Sequence, residues 1–454
     1  MKILILGAGV TGSSVAEAFA SEENDIVVID FRQELLDALK DRFDIATVTG
    51  NAAHPSVLEQ AGIDTTDMVI AVTDSDETNM LACMIIKALH KRPKTIARVR
   101  AIDYLKNPKI FGPDAIPVDI VISPEQIVME SIRNLIEFPG VLHISDFAGG
   151  LVRLFSVKVV ADGFLTGRKI KILKERLSDG KTRVVSIFRQ GVPICVSGDI
   201  SIETGDEVFF VAPRKEVLRV LKELDKLEAP IKRIIIAGGG HVGKRLALAL
   251  ENDHQVKIIE KDPIRANKIA NDLRHTVVLL GDCANEALLL DESVENSDLF
   301  CAITDNDGVN IISASLAKSL GARKTICLLN HKSYTKLLPG TGVDVTVLPN
   351  QETLGSILKY VRRGDVEQVT SLCGGTAEAI EAVAHANEGH ESVVGRRVDS
   401  INFPPGIVMG ALIRNNEVIP IHHDTVFAEN DHVVMFAMEK KLVSYIEKIF
   451  QKLS

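Results

Sequence analysis

The chain predicts an α/β fold of two tandem halves, each a doubly wound parallel sheet followed by a small, mainly antiparallel α+β lobe. Three observations predict it. Short β-branched runs alternate with segments of helical apolar spacing, the texture of buried parallel strands and their crossovers. A glycine-rich turn, GAGVTG, follows the first run directly. The whole set is then written a second time. Gly7, Gly9 and Gly12 recur as Gly238, Gly240 and Gly243, Gly50 as Gly281, and Thr73-Asp74 as Thr304-Asp305, each 231 residues on. Further along the offset drifts to 225, pairing Pro124 with Pro349, Gln126 with Gln351, Asp199 with Asp424 and Asp206 with Asp431. A repeat this long marks tandem duplication, not a solenoid.

Taken in order, the first half begins with strands expected at 2–6 (KILIL), 26–30 (IVVID), 45–49, 68–72 (MVIAV), 95–99 and 118–122, with helices between several of them in SSVAEAFA and LACMIIKALH. SPEQIVMESIRNLI follows as a helix in which Ser123 is the N-cap, Pro124 the first helical residue and Gln126 the closing member of a capping box. Val128, Ile132, Leu135 and Ile136 fall on one stripe of it, suited to a core or an interface. Beyond Gly140 the pattern turns to alternation, as in LVRLFSVKV and DEVFFVAP, with Gly205-Asp206 and Asn430-Asp431 at hairpin-turn positions. Each half is expected to end in a helix, VLRVLKELDKL and LVSYIEKIF, and KLEAPIK around Pro230 joins the halves. The resulting expectation is a nucleotide-binding domain at 1–123, a crossover helix at 124–142 and a C-terminal lobe at 143–228, then the same three parts at 232–348, 349–367 and 368–454.

Composition narrows the function. With 52 Lys+Arg against 61 Asp+Glu, a net charge of −9, there is no basic excess for binding nucleic acid. Aromatics are only 4% and Trp is absent, so the cores are aliphatic and base-stacking platforms are not expected. The amino terminus has no basic leader or apolar stretch of signal-peptide length, and every apolar run breaks before the roughly 18 to 20 residues of a membrane span. A cytosolic protein is expected. Six cysteines without a CxxC pair suit buried, reduced thiols better than zinc or disulfides.

The chemistry is concentrated in GAGVTG, residues 7 to 12. Between a strand and a helix, Gly7 makes the tight turn, Gly9 lets a pyrophosphate approach bare backbone, and Gly12 allows close helix packing, while Ala8, Val10 and Thr11 complete the cradle. Asp30 ends the second strand where a carboxylate accepts bonds from the adenosine ribose hydroxyls and repels a 2′-phosphate, which favours NAD(H) over NADP(H). A glycine turn kept for packing alone is the plainer reading. Thr73 and Asp74 end the fourth strand at the crevice; equally, Thr73, Asp74 or Asp76 caps the following helix, Asp76 foremost. Arg98, at the end of the fifth strand, meets a phosphate or ribose at the crevice lip, or else forms a surface ion pair. The second half offers Gly238, Gly239, Gly240, His241, Val242 and Gly243, then Glu260, Thr304 and Asp305, but Leu328 replaces the arginine, so a second site with a different preference is expected. His241 faces either a phosphate or solvent. His422, His423 and His432, like His385 and His390, lack metal-ligand spacing and are expected to be surface residues.

With GAGVTG, IVVID, TGN, MVIAVTDSDETN and the SPEQ helix in place and duplicated, the sequence resembles, over nearly its whole length, the TrkA-like family of tandem RCK (KTN) proteins, the regulatory subunits of Trk-type potassium uptake. The resemblance implies two RCK modules, each a Rossmann-like nucleotide-binding lobe, a crossover helix and a β-rich lobe. It implies that the residues just named bind NAD(H), with ATP or ADP left open. Relatives that grip ATP often carry an arginine inside the glycine loop, where this chain has Val10 and Thr11, then His241 and Val242, so NAD(H) is the expected ligand of the first site. It further implies a ring-like homo-oligomer, expected as a tetramer, docked on the cytoplasmic face of a membrane potassium channel subunit, with crossover helices at the assembly surfaces. The competing class is an NAD-dependent oxidoreductase acting on a small molecule. Such an enzyme needs a proton-handling group beside the nicotinamide, and no polar cluster beyond the sheets is copied in both halves.

Overall fold

A computed structural model describes residues 1–20, 24–90, 92–177, 181–362, 365–372, 375–386 and 392–451. Contacts divide the chain into two compact units, Met1–Ile127 with Pro349–Ile357, and Val128–Leu348 with Leu358–Ser454.

The first unit holds one parallel sheet built from β1 (Lys2–Leu6), β2 (Asp25–Asp30), β3 (Ala46–Thr49), β4 (Met68–Ala71), β5 (Lys94–Arg98) and β6 (Ile120–Ile122). Its order is β3-β2-β1-β4-β5-β6, the doubly wound arrangement, with the strand order reversing beside β1. The observed strands lie within a residue or two of the expected ones. Leu4, Leu6, Ile29, Val69, Ala71, Ile86 and Ala97 form its aliphatic core. The start of the second crossover helix, Pro349–Val361, belongs to this unit.

The second unit contains three sheets. The first lobe has β7 (His143–Phe147), β8 (Val152–Lys158), β9 (Arg183–Arg189), β10 (Val192–Ile194) and β11 (Glu207–Pro213) in the antiparallel order β10-β9-β11-β8-β7. A second parallel sheet has β12 (Arg233–Ala237), β13 (Gln255–Glu260), β14 (Val277–Leu280), β15 (Leu299–Ala302), β16 (Thr325–Leu328) and β17 (Val345–Val347), in the order β14-β13-β12-β15-β16-β17. The second lobe has β18 (Val366–Leu372), β19 (Ala377–Val383), β20 (Ile407–Arg414), β21 (Glu417–Ile419) and β22 (His432–Ala437), in the order β18-β19-β22-β20-β21. The chain is α/β, with two doubly wound sheets and two small antiparallel ones.

The first crossover helix runs from Pro124 to Glu137, and its stripe of Val128, Ile132, Leu135 and Ile136 is buried in the large core of the second unit. The two antiparallel sheets also share a core. Phe147, Val152, Phe188 and Phe209 of the first lobe cluster with Ala377, Ile413, Val434 and Phe436 of the second, and the Phe209 and Phe436 rings are 6.2 Å apart.

Four expectations are corrected here. Gly205-Asp206 and Asn430-Asp431 are not hairpin turns: they precede β11 and β22, neither of which pairs with the strand before it. Their aspartates are fully buried because each is clamped by an arginine, Asp206 by Arg189 and Asp431 by Arg414, the latter through two bonds of 2.7 Å. The tight hairpins are at Gln190-Gly191 and Asn415-Asn416, where both central residues have positive φ. Among the cysteines, Cys83, Cys283, Cys301 and Cys327 are buried, and burial pushes the Cys83 and Cys327 thiols up to about 12; Cys195, beyond the short β10, is exposed. His385 is buried between Asp365 and Glu429 at 2.6 and 2.9 Å, not a surface residue. His422 and His423 are exposed, His432 is half-buried against Glu381, and His390 and Cys373 lie outside the described residues.

Candidate functional site: two glycine-loop crevices

At the carboxyl end of β1 the chain turns on Gly7, whose N–H donates to the Ile29 carbonyl at 2.7 Å and whose φ of +108° is left-handed. A Cβ there would stand 3.0 Å from the Thr73 backbone. Gly12, buried in the helix Val10–Ala20, packs closer still: a Cβ would fall 1.9 Å from the Gly7 carbonyl oxygen. Gly9 is different. Its missing side chain would meet nothing nearer than Arg32 Nη2 at 4.0 Å. The loop is therefore bare where a diphosphate needs room, and the first N–H groups of the helix, which have no acceptor within it, border that opening. Gly238, Gly240 and Gly243 repeat the geometry: Gly238 has φ +107°, a Cβ on Gly243 would lie 2.0 Å from the Gly238 oxygen, and one on Gly240 would meet nothing within 4 Å. Gly239 is crowded as well, by Ile269 and Glu260.

Asp30 is buried at the end of β2 and accepts the Ala8 N–H at 2.7 Å on one oxygen and the Arg32 N–H at 2.9 Å on the other. Burial raises its pKa, but hydrogen bonds from the Arg32 side chain and from the Ala8 and Arg32 amides outweigh that and hold the carboxyl below its ordinary value. Arg32, absent from the sequence reading, also reaches Asp74 at 3.9 Å. Glu260 takes the same post in the second half, accepting from Gly239 at 3.0 Å and Asp262 at 2.8 Å, with Arg265 3.5 Å away.

Thr73 and Asp74 lie just beyond the end of β4. The helix cap is Ser75, not Asp76: its side chain accepts the Thr78 N–H, while Asp76 Oδ2 accepts the N–H groups of Arg100 and Ala101, both at 2.8 Å. The second half repeats this with Asn306 as cap and Asp307 holding Asn330 and His331. Asn79, which the sequence reading missed, is fully buried and makes four bonds: its oxygen accepts from the Thr73 N–H and hydroxyl, and its amide donates to the Thr73 and Arg98 carbonyls. Asn310 bonds Thr304 and Leu328 identically. Its signal was available, since TDSDETN and TDNDGVN both place an asparagine six residues after the threonine.

Arg98 does form an ion pair with a nearby carboxylate, the exposed Asp74, but from a mostly buried side chain. Its side chain is 12% exposed, Nη1 donates to the Thr11 hydroxyl at 3.2 Å, and Nη2 lies 3.7 Å from Asp74. Burial, with Arg100 close by, pushes its pKa down, and its buried Nε has no hydrogen-bond partner among the described residues. Thr11 in turn donates to Asn350 of the second crossover helix at 3.2 Å. In the second crevice Val242 and Leu328 replace Thr11 and Arg98, Leu328 is buried, and His241 is exposed. Each crevice thus gathers its glycine loop, a carboxylate and a threonine; among the described residues the first adds Arg98, a guanidinium with a donor to spare. The residues of both crevices fit a dinucleotide.

Two other clefts are present in the second unit. One of about 720 Å³ lies at the amino ends of β12 to β14, lined by Glu251, His254 and His275, and one of about 670 Å³ lies between the lobes, lined by Asp146, Arg214, Glu381 and His432. Neither is at the carboxyl edge of a parallel sheet, where this architecture holds its ligands.

The family profile described as the TrkA-N domain matches residues 3–124 and 234–349, the two stretches that hold the crevices. Over 451 residues, 99% of each chain, the sequence is 45% identical to the Trk system potassium uptake protein TrkA of Halomonas elongata, and it is 44% identical to that of Vibrio alginolyticus, again over 99% of each chain. Among solved structures it is similar to the GsuK RCK domain, with a TM-score of 0.61 at 16% identity, covering 98% of this chain and 94% of that one. It is likewise similar to the GsuK channel bound to NAD, with a TM-score of 0.60 at 15% identity, covering 99% and 78%. At such identities the structures speak for the fold. The duplicated crevices, the paired sheets and the end-to-end identity agree: the chain belongs to the TrkA family of Trk system potassium uptake proteins.

Proposed function

We propose that this chain is a non-catalytic regulatory subunit that binds NAD(H) at its first crevice, an adenine nucleotide or NAD(H) at its second, and couples occupancy to gating of a Trk-type membrane potassium subunit. The observation that carries the reading is the bare Gly9 surface between the start of helix Val10–Ala20 and the Asp30 carboxylate, with Arg98 bonded to Thr11 of the same loop and its Nε without a partner among the described residues. In this role the ligand supplies binding energy, not chemistry. Gly7 to Gly12 hold its diphosphate, Asp30 its ribose, and Thr73, Asp74 and Arg98 the adjoining groups; Gly238 to Gly243, Glu260, Thr304 and Asp305 do the same in the second half, where Leu328 replaces Arg98. A ligand shifts an equilibrium only by its unequal affinity for two arrangements, and a tenfold preference supplies about 1.4 kcal/mol per site. Several sites in a ring-like, tetrameric homo-oligomer on the cytoplasmic face of the membrane, where this reading puts the chain, multiply that bias.

Calorimetric titration of NADH, NAD, ATP and ADP, paired with potassium flux through the membrane subunit reconstituted with and without this chain, tests the proposal. Saturable NADH binding that alters flux is expected. Steady NADH oxidation with a carbonyl substrate, or flux indifferent to every nucleotide, overturns it.

A further inference from the structure

The junction between crossover helix and lobe carries opposite charge in the two halves. Glu137, the last residue of the first crossover helix, lies 3.1 Å from Arg214 and 3.9 Å from the fully buried Arg153. Arg362, at the end of the second crossover helix, takes Glu378 in two bonds of 2.8 and 2.9 Å and lies 3.7 Å from Glu447. At the offset of 225, Glu137 aligns with Arg362 and Arg153 with Glu378, so the sign changes at both central positions, while the outer partners Arg214 and Glu447 come from different positions of the two terminal helical segments. Around Arg153 the first half adds Asp146, at 2.6 Å from its Nε, where the second half has Ser371. Helix electrostatics do not dictate this arrangement, because a carboxylate at a helix C-terminus opposes the macrodipole. In each half one central charge is instead held by two of the other sign.

We propose that this inverted polarity is a key that makes the halves non-interchangeable: each lobe accepts the crossover helix of its own half and refuses that of the other half, in the same chain or in a second copy. Exchange would set Arg362 against Arg153 and Arg214, and Glu137 against Glu378 and Glu447. Buried like charges disfavour such a register far more than complementary pairs favour the correct one. Such a device suits a tandem repeat, because halves that share one fold are prone to misassembly and swapping as they fold.

The test uses the full chain. E378R buries two arginines together and is expected to lower the thermal midpoint. R362E/S371D/E378R/E447K gives the second half the signs of the first; it is expected to recover most of that loss, yet after dilution from denaturant to form several-fold more high-order oligomer than wild type. Light scattering after size exclusion reads this, each protein being compared with its own never-unfolded sample at two concentrations. A quadruple variant that stays as unstable as E378R, or that refolds with the wild-type distribution, overturns the proposal.

Discussion

Asp30 receives the Ala8 N–H at 2.7 Å and so ties the middle of the glycine loop to the end of β2. The same carboxylate is the proposed ribose partner, so Asp30→Ala removes both functions. Bonds to charged groups contribute about 1.5–3 kcal/mol each, which predicts a loss of ten- to a hundredfold or more in NADH affinity at one site only. Calorimetry on wild type and variant reads it directly; unchanged stoichiometry and affinity would put the ribose elsewhere.

Gly12→Ala forces a methyl to within 1.9 Å of the Gly7 oxygen, an atom fixed by backbone on both sides. Overpacking of this kind costs about 1–3 kcal/mol even where neighbours can yield, and here the helix must move off the sheet. The expected outcome is a lower denaturation midpoint and no measurable nucleotide binding at the first crevice. By contrast Gly240→Ala, which meets nothing within 4 Å, is expected to leave stability unchanged while weakening ligand binding at the second.

Asn79→Ala strips partners from the Thr73 N–H and from the Thr73 and Arg98 carbonyls at once. At about 1–3 kcal/mol for each buried group left unpaired, a loss of roughly 3 kcal/mol or more is expected in urea denaturation. Asn79→Asp keeps the acceptor but loses the amide donor, and should fall between the two.

For His385, burial lowers the pKa, but the hydrogen bonds its ring donates to Glu429 and Asp365 more than compensate and leave it raised. A raised folded value means stabilisation that is complete below the unfolded pKa, about 6.5, and is lost as pH rises through the higher folded value. The second lobe should therefore lose this stabilisation as pH rises through the raised folded value. His385→Gln should flatten that part of a midpoint-against-pH curve measured between pH 5 and 9; an unchanged curve would refute the assignment.

The two parallel sheets, their glycine loops and the buried stripe of the first crossover helix were legible because each rests on a local pattern: alternation of β-branched runs, glycine spacing, period 3.6. Asn79 and Asn310 were legible only by overlaying the halves, since an isolated asparagine inside TDSDETN reads as a turn residue. Arg32 was hidden because its role depends on how the chain bends after Asp30, and the second half fills the post with Arg265, from a different position. Asn350 contacts Thr11 across 339 residues of sequence, which no local pattern encodes. The buried His385 and the arginine-clamped Asp206 and Asp431 misled for the same reason: their partners come from other strands and loops, and polarity alone suggested the surface.

Phe209 and Phe436 share one core although they sit in lobes more than two hundred residues apart. Because a single polypeptide supplies both faces, their union is governed by an effective concentration that the tether fixes, typically millimolar or above, and dilution leaves it intact. Titrating the protein downward should thus dissolve only contacts made between separate chains, so any species that persists at nanomolar concentration is a folded pseudo-dimer already.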